Sequence, residues 1–323
     1  MKPAENIKLG LKENLLQFIL LVIVNAFIGG MVGLERAILP EIANEEFHVS
    51  STSAILSFII VFGIAKAITN YFTGRLSNKY GRKNLLVAGW LLAMPIPFIL
   101  MWANRWEWII CTNILLGIHQ GLAWSSTVTM KIDLVGEKQR GFAMGLNEFA
   151  GYIAVALVAY FTGYIASLYG LRPYPFYVGI GLVIVGLLMS LIFIKDTRKH
   201  VAIETITSSV KRLEDIFWST TWKDKNLGST TQAGLINNLN DGMVWGILPI
   251  LLATKNLDLK QIGLVTAVYP AVWGIGQLIT GKMADKYSKK KMLFTGMILQ
   301  GIVLLVLPFA SEYWQYILLA ALL

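Results

Sequence analysis

Cysteine and charged residues are scarce in this sequence. Cys111 is the only cysteine among 323 residues, which excludes an internal disulfide and any Cys-x-x-Cys metal or redox motif. Charged residues make up 15% of the chain and hydrophobic residues 55%. The mean hydropathy of +0.60 is too high for a soluble domain of this length, so the composition predicts a membrane protein.

Motifs typical of enzymes are also absent. The sequence contains no His-Glu-x-x-His, no Gly-x-Ser-x-Gly, no P-loop and no paired-metal spacing. A membrane enzyme that uses His119, Glu148 and Asp241 is the remaining enzymatic alternative, and no motif supports it. We therefore expect no enzymatic activity, no catalytic residue, no metal and no cofactor.

Apolar segments long enough to cross a bilayer recur along the chain. A spanning helix needs roughly 20 apolar residues at ~1.5 Å each. The first segment lacks a signal-peptide cleavage pattern, so we expect it to remain in the mature protein. The sequence predicts an all-α polytopic fold. Its first nine segments are Leu15–Pro40, Thr52–Thr73, Leu85–Ala103, Trp106–Met130, Gly141–Leu168, Pro175–Ile194, Ser229–Ala253, Ile262–Thr280 and Met292–Ala310. A tenth segment begins near Ser311 and reaches Leu323.

Basic residues divide unequally between the two sets of alternate loops. Twenty-two lysines and arginines fall in one set, in which we place Arg82 and Lys131, and five fall in the other. Because cytoplasmic loops are enriched in Lys and Arg, this asymmetry predicts a multi-pass protein of the plasma (cell inner) membrane with a cytoplasmic N-terminus. The net charge of +9 thus indicates topology, and we expect no nucleic-acid partner.

One long polar stretch, residues 195–226, divides the chain. We predict that it is a cytoplasmic linker between an N-terminal six-helix bundle (1–194) and a partial C-terminal bundle (227–323). Its function is either a tether or a regulatory segment, and the tether is favoured. An amphipathic pattern within it predicts a surface helix through Val210, Leu213, Ile216 and Phe217.

Two short sequences recur across the linker. GLERAILP, ending at Pro40, matches GMVWGILP, ending at Pro249, and GRLSNKYGRKN, from Gly74, matches GKMADKYSKKK, from Gly281. The copies keep their order and their membrane orientation. The pattern therefore predicts a parallel repeat related by an axis along the membrane normal.

GRLSNKYGRKN resembles the loop between helices two and three of the major facilitator superfamily. In the first copy Asn78 stands where that family usually has an aspartate; in the second, Ser288 replaces the inner glycine and Asp285 keeps the acid. We expect Asn78 to offer a neutral hydrogen bond in place of a charged latch. The resemblance implies conformational-switch loops, read here as tight Gly-bounded turns, at Gly74, Arg75, Asn78, Gly81, Arg82, Lys83, Gly281 and Asp285.

Polar residues concentrate in predicted segments one, two, four, five and seven, whereas segments three, six and nine are nearly free of them. The resemblance implies that every third helix packs outside, against lipid. An ionisable group at a helix centre in lipid costs at least ~2.5 kcal/mol, so these groups should face a cavity. The predicted substrate or proton pathway comprises Asp241, Asn237, Asn238, Asn240, Glu148, Asn147, His119, Lys66 and Asn25.

Several of these residues also have structural interpretations. Lys66 and Glu148 could form either a structural ion pair or a proton relay. The asparagines could serve solely to hydrogen-bond neighbouring helices. His119 is either a titrating group or, slightly favoured, a hydrogen-bonded packing residue. Glu35 and Arg36 form either a paired interface, which is favoured, or an external gate.

The pattern predicts a secondary transporter that moves a small solute by alternating access, with protons or another coupling ion, in the lipid bilayer. Asp241 and Glu148 suit a cationic substrate, and Lys66 and Arg36 suit an anionic one. The aromatic residues suit an amphipathic substrate. Asn113 stands at the usual place of a helix-four arginine, and segment five has no Gly-Pro pair. Both features weaken the assignment to the classical multidrug exporters, but efflux of a drug-like or metabolite substrate remains an open alternative. The alternative is a non-transporting sensor. We expect a monomer, as is common in the superfamily, and further helices beyond Leu323.

Overall fold

The computed structural model describes residues 7–36, 38–49, 51–136, 139–207, 215–255, 257 and 259–323. Within these ranges the chain is helical and contains no β-strand, which confirms the predicted all-α class. The long helices are α1 (Leu15–Arg36), α2 (Ser57–Tyr80), α3 (Arg82–Ala93, continued by Pro95–Trp102), α4 (Trp106–Val135), α5 (Arg140–Tyr169), α6 (Tyr177–Ile192), α7 (Lys225–Thr254), α8 (Leu259–Ala284), α9 (Lys289–Val306) and α10 (Tyr313–Leu322).

Seven of the described helical segments are long and apolar enough to cross a membrane. The helices α4 and α7 are not among them, although each has 30 residues. Both carry several Asn, Gln, His or Asp residues among their apolar ones, which lowers their mean hydropathy. These two helices are therefore poorly suited to face lipid all round.

The described chain divides into two compact units. The first unit contains residues 7–204 together with 270–287, and the second contains residues 205–269 together with 288–323. The division falls within α8, at Pro270. Helices α1 to α6 thus belong to one unit, which holds most of the buried apolar residues.

Close helix packing in the first unit depends on glycine. On α1, Gly29 and Gly33 lie directly against the backbone of Gly151 and Val155 on α5, where a Cβ atom would collide with main-chain atoms. On α4, Gly117 lies in the same way against the backbone of α2. Small residues that let backbones approach are the usual means of joining helices in lipid.

Two helices of the second unit begin with a side-chain cap. The hydroxyl oxygen of Ser288 accepts a hydrogen bond from the backbone N–H of Lys291, 3.5 Å away, at the start of α9. Glu312 and Gln315 form a capping box at the start of α10. Ser288, which replaces the glycine expected in the second loop, is therefore a helix N-cap.

Helix ends differ from the predicted bounds, mostly by extension. Helix α2 begins at Ser57, after a short helix at Thr52–Ile55, and ends at Tyr80, seven residues beyond the predicted Thr73. Helix α4 ends at Val135, so Lys131, placed in a loop by the sequence analysis, is a helical residue and is fully buried. The predictions were wrong at these ends because hydropathy marks the limit of the apolar region, whereas backbone hydrogen bonding continues beyond it.

The two repeated loops are shorter than predicted. Gly74 and Gly281 lie inside α2 and α8, so they do not bound a turn. In the first copy the chain reverses at Gly81, which has a φ of +92°. This backbone conformation is open to glycine and strained for other residues, so Gly81 alone makes the turn.

The described part of the linker contains a helix that the sequence analysis did not predict. It spans Arg198–Thr207, nearer to α6 than the predicted amphipathic pattern. Val210 and Leu213 lie outside the described residues, and Ile216 and Phe217 are exposed in a three-residue helix.

Candidate functional site

A buried polar cluster in the first unit joins α1, α4 and α5. The side-chain amide of Asn25 donates to the backbone oxygen of Asn147 at 2.8 Å, and the hydroxyl of Thr127 donates to Asn25 Oδ1 at 2.8 Å. The ammonium of Lys131 donates to Asn147 Oδ1 at 2.6 Å and to the backbone oxygen of Leu21 at 3.1 Å. Asn25, Thr127, Lys131 and Asn147 are all fully buried.

The cluster extends from Asn147 to a carboxylate. Asn147 Nδ2 donates to Glu148 Oε1 at 2.7 Å, and the indole N–H of Trp124 donates to the same oxygen at 3.2 Å. Asn147 therefore connects the ammonium of Lys131 to the carboxylate of Glu148. A buried charge is tolerated where it is compensated and hydrogen-bonded, which this arrangement achieves for both groups.

Lys66 approaches the cluster from α2. Its ammonium lies 5.4 Å from the centre of the Trp124 ring and 5.6 Å from the centre of the Phe62 ring. Lys66 and Glu148 thus contact the same tryptophan, one over its face and one at its N–H. This position suits both the structural ion pair and the relay considered above.

An aromatic wall adjoins Glu148. The rings of Trp124 and Tyr152 are 6.0 Å apart in an edge-to-face arrangement, and Tyr152 lies 4.0 Å from Trp273 on α8. The three rings run from α4 across α5 to α8 within the first unit. An acid beside aromatic faces can bind a ligand that has both a polar and an apolar part.

A second, smaller cluster lies in the other unit. The hydroxyl of Tyr269 donates a hydrogen bond to Asp241, and Asn240 Nδ2 lies 3.4 Å from the Tyr269 oxygen. Asn240 and Tyr269 are buried, whereas Asp241 is half-buried. Asp241 lies roughly 24 Å along α7 from Lys225, at ~1.5 Å per residue.

Two of the four candidates on α7 are not brought into this second cluster. Asn238 is exposed and donates to the backbone oxygen of Gly234 in its own helix, at 2.9 Å. Asn237 is half-buried. The local structure therefore singles out Asn240 and Asp241.

His119 lies apart from both clusters. Its Nδ1 is 3.0 Å from the backbone oxygen of Gly89 on α3, and its ring packs 4.8 Å from that of Trp90. The ring is fully buried between α4 and α3. This is the geometry expected of a packing histidine, the second of the two interpretations considered above.

Glu35 and Arg36 lie at the C-terminal end of α1, whereas Lys131 of α4 contacts α1 near its start, at Leu21. Glu35 is fully buried, and its Oε2 accepts from Asn113 Nδ2 at 3.2 Å. The guanidinium of Arg36 lies 4.9 Å from the centre of the Phe62 ring and 5.6 Å from that of Phe58. Asn113, at the usual place of the family's helix-four arginine, therefore binds Glu35.

The first switch loop is fixed by two acidic residues that the sequence analysis did not select. Arg82 is buried and lies 3.3 Å from Asp133, near the end of α4. Asp196, after α6, accepts from the backbone N–H of Lys83 at 3.1 Å and from Arg198 at 2.9 Å. Partial burial raises the pKa of Asp196, but these hydrogen bonds and the Arg198 charge outweigh it and hold the pKa below its ordinary value.

The remaining switch residues divide into a cap and an exposed group. Asp285 accepts hydrogen bonds from the backbone N–H groups of Gly141 and Phe142 at 2.8 and 2.9 Å, and so caps the start of α5. Arg75 and Asn78 are exposed on α2. Asn78 makes no side-chain hydrogen bond to any described residue, so the expected neutral bond is not formed in this structure.

Sequence reasoning missed Lys131, Trp124, Thr127 and Tyr269. A signal was available for the first three, since spacings of three and four residues place Trp124, Thr127 and Lys131 on one face of α4. Lys131 was assigned to topology because it lies near a helix end. Tyr269 stands in an apolar stretch, so the sequence gives no signal that its hydroxyl is bonded.

Comparisons with known proteins agree with this architecture. Multidrug resistance protein MdtG of Salmonella typhimurium is 25% identical over 296 residues, which cover 86% of this chain and 69% of MdtG. MdtG of Enterobacter lignolyticus is 26% identical over 290 residues, covering 86% of this chain and 67% of MdtG. The alignment with the inward open conformation of the xylose transporter XylE from E. coli covers 94% of this chain and 78% of the XylE chain, with a TM-score of 0.62 and 16% identity. This chain therefore shares its fold with XylE.

A family model decides the assignment. The model described as Major Facilitator Superfamily matches residues 19–236 and again residues 230–323. These matches include every helix from α2 to α10 and most of α1. The chain belongs to the major facilitator superfamily and is a multi-pass membrane transporter.

Proposed function

We propose that this transporter couples the movement of a small drug-like or metabolite solute to protons, and that Glu148 carries the coupling proton. The observation on which the proposal depends is the chain of contacts that runs from the buried Lys131 through the buried Asn147 to the half-buried Glu148. A carboxylate so placed can gain or lose a proton away from bulk water.

Protonation of Glu148 would change the hydrogen bonds around it. Oε1 now accepts from both Asn147 and Trp124. A proton on the carboxyl group weakens it as an acceptor, and it reduces the attraction for the nearby Lys66 and Lys131 ammoniums. Asn147 bonds α1 and α4 as well as Glu148, so the change is transmitted to three helices at once.

The substrate is proposed from the aromatic wall and the relatives. Trp124, Tyr152 and Trp273 offer apolar faces beside Glu148. The relatives named multidrug resistance proteins support export of a drug-like molecule. Asp241 with Tyr269 is the second candidate for substrate or proton binding, in the second unit.

The membrane arrangement is also a proposal. The unequal distribution of basic residues supports a cytoplasmic N-terminus in the plasma membrane, with 1–194 as the first bundle, 195–226 as the linker and 227–323 as part of the second. Alternating access of the two bundles is the mechanism that the family membership supports.

The test compares Glu148→Gln with Glu107→Gln. The full chain is reconstituted in liposomes, and uptake or release of a panel of labelled drugs is measured with and without a pH gradient. Glu107 is exposed at the start of α4 and serves as the matched control.

We expect Glu148→Gln to retain substrate exchange without a gradient and to lose accumulation driven by the pH gradient, by roughly a hundredfold as for other positioned acids and bases. The control should behave like the unmodified chain. Full gradient-driven accumulation by Glu148→Gln would exclude Glu148 as the proton carrier.

A further inference from the structure

A wide groove opens in the first unit where the chain enters α1. Its volume is about 1260 Å³, and its lining includes Lys8, Gln17, Lys195, Arg198 and Lys199. The groove lies between the start of α1 and the segment that follows α6. None of the residues in the buried polar cluster lines it.

The walls of this groove are held by two amide side chains. Gln17 Nε2 donates to the backbone oxygen of Phe193 at 2.9 Å, and its Oε1 accepts from the backbone N–H of Lys195 at 2.9 Å. Asn14 Nδ2 lies within hydrogen-bond distance of the backbone oxygens of Lys8 and Leu134. These hydrogen bonds join the start of α1 to the end of α4 and to the segment that follows α6.

The charge of the groove favours an anion. Four cationic side chains line it, Lys8, Lys195, Arg198 and Lys199, against the two carboxylates of Glu13 and Asp196. One of those carboxylates, Asp196, is already bonded by the Arg198 side chain and by two backbone N–H groups. Lys8 and Lys195 are both exposed.

Apolar surface continues from the groove along both helices. On α1, Leu16 is 71% and Ile19 46% exposed, and on α6 Ile192 is 66% exposed, followed by Phe193 at 54%. In a membrane protein, exposed apolar side chains of this density belong against acyl chains. A basic groove thus adjoins a lipid-facing surface.

We propose that this groove binds the phosphate headgroup of an anionic phospholipid. The ammoniums of Lys8 and Lys195 contact the phosphate, and the acyl chains lie along Leu16, Ile19, Ile192 and Phe193. Basic pockets beside membrane helices bind such headgroups through the same combination of charge and apolar contact. A soluble phosphate compound would use the lysines but gain nothing from the apolar surface.

The test measures lipid retention by native mass spectrometry of the full chain in detergent. The probes are phosphatidylglycerol and phosphatidylcholine with identical acyl chains, and glycerol phosphate as the soluble competitor. The variant is Lys8→Gln with Lys195→Gln. The matched control is Lys289→Gln with Lys290→Gln, which removes two exposed lysines at the start of α9.

We expect the chain to retain phosphatidylglycerol in preference to phosphatidylcholine, and the groove variant to bind phosphatidylglycerol roughly tenfold or more weakly. The control should bind as the unmodified chain does. Equal retention of the two lipids, an equal loss in the control, or displacement by glycerol phosphate at concentrations comparable to the lipid would overturn the proposal. The last result would indicate a site for soluble phosphates.

Discussion

At the scale of single residues, the central feature is a buried lysine that is bonded through one amide to a half-buried glutamate. Lys131, Asn147 and Glu148 compensate one another where α4 meets α5. Such groups are costly alone and tolerated together, because each removes part of the desolvation cost of the next. Their stability effects should therefore not be additive.

Lys131→Met should lower the thermal stability of the protein in detergent. The substitution leaves Asn147 Oδ1 and the backbone oxygen of Leu21 without the ammonium that donates to them, and it removes one of the two cations near Glu148, at a cost of roughly 3–5 kcal/mol. The double variant with Glu148→Gln should lose less than the sum of the single losses. Additive losses, measured by thermal unfolding, would show that the two groups do not interact.

Tyr269→Phe should act on the second cluster in the same manner but more weakly. It removes the hydroxyl that donates to Asp241 and accepts from Asn240. We expect a loss of about 1–3 kcal/mol, as for other buried polar groups left unsatisfied. Tyr287→Phe, at an exposed tyrosine, is the control, and an equal stability of both variants in denaturant titration would contradict the expectation.

At the scale of helices, the order and approximate positions of the elements could be predicted from the sequence, but their ends and partners could not. Hydropathy located each helix because lipid selects apolar side chains over ~20 residues. It could not locate Tyr80 or Val135 as helix ends, since both follow polar turns that remain helical. Asn25, Asn147 and Glu148 could be predicted as candidates because they are polar residues in apolar segments. Their connection to Lys131 could not be predicted, because it depends on tertiary contacts.

Gly29→Leu should separate α1 from α5. The added side chain would collide with the backbone of Gly151, and backbone cannot give way as a flexible side chain can. Gly181→Leu on α6 is the control, because nothing lies within 4 Å of its added Cβ. We expect the first variant to be recovered from membranes in much lower amount as folded monodisperse protein; equal recovery would contradict the close approach of α1 and α5.

At the scale of the whole molecule, charged residues in the loops and charged residues in the buried clusters have different roles. In the proposed topology, loop lysines and arginines orient the helices, whereas the buried Lys131 and Arg82 bond to neighbouring helices. Removing these two from the loop count still leaves a large majority on the side of the N-terminus. The proposed orientation therefore does not depend on them.

Cysteine labelling can test that orientation in intact cells. With Cys111→Ser as the background, Lys8→Cys and Arg105→Cys place single thiols before α1 and at the start of α4, both on exposed residues. A cytoplasmic N-terminus predicts that a membrane-impermeant maleimide labels Arg105→Cys in intact cells and labels Lys8→Cys only after the cells are opened. The opposite result would invert the topology and place the basic loops, together with the lipid-binding groove, at the outer surface. Labelling of both thiols in intact cells would mean that the helices between them do not cross the membrane an odd number of times.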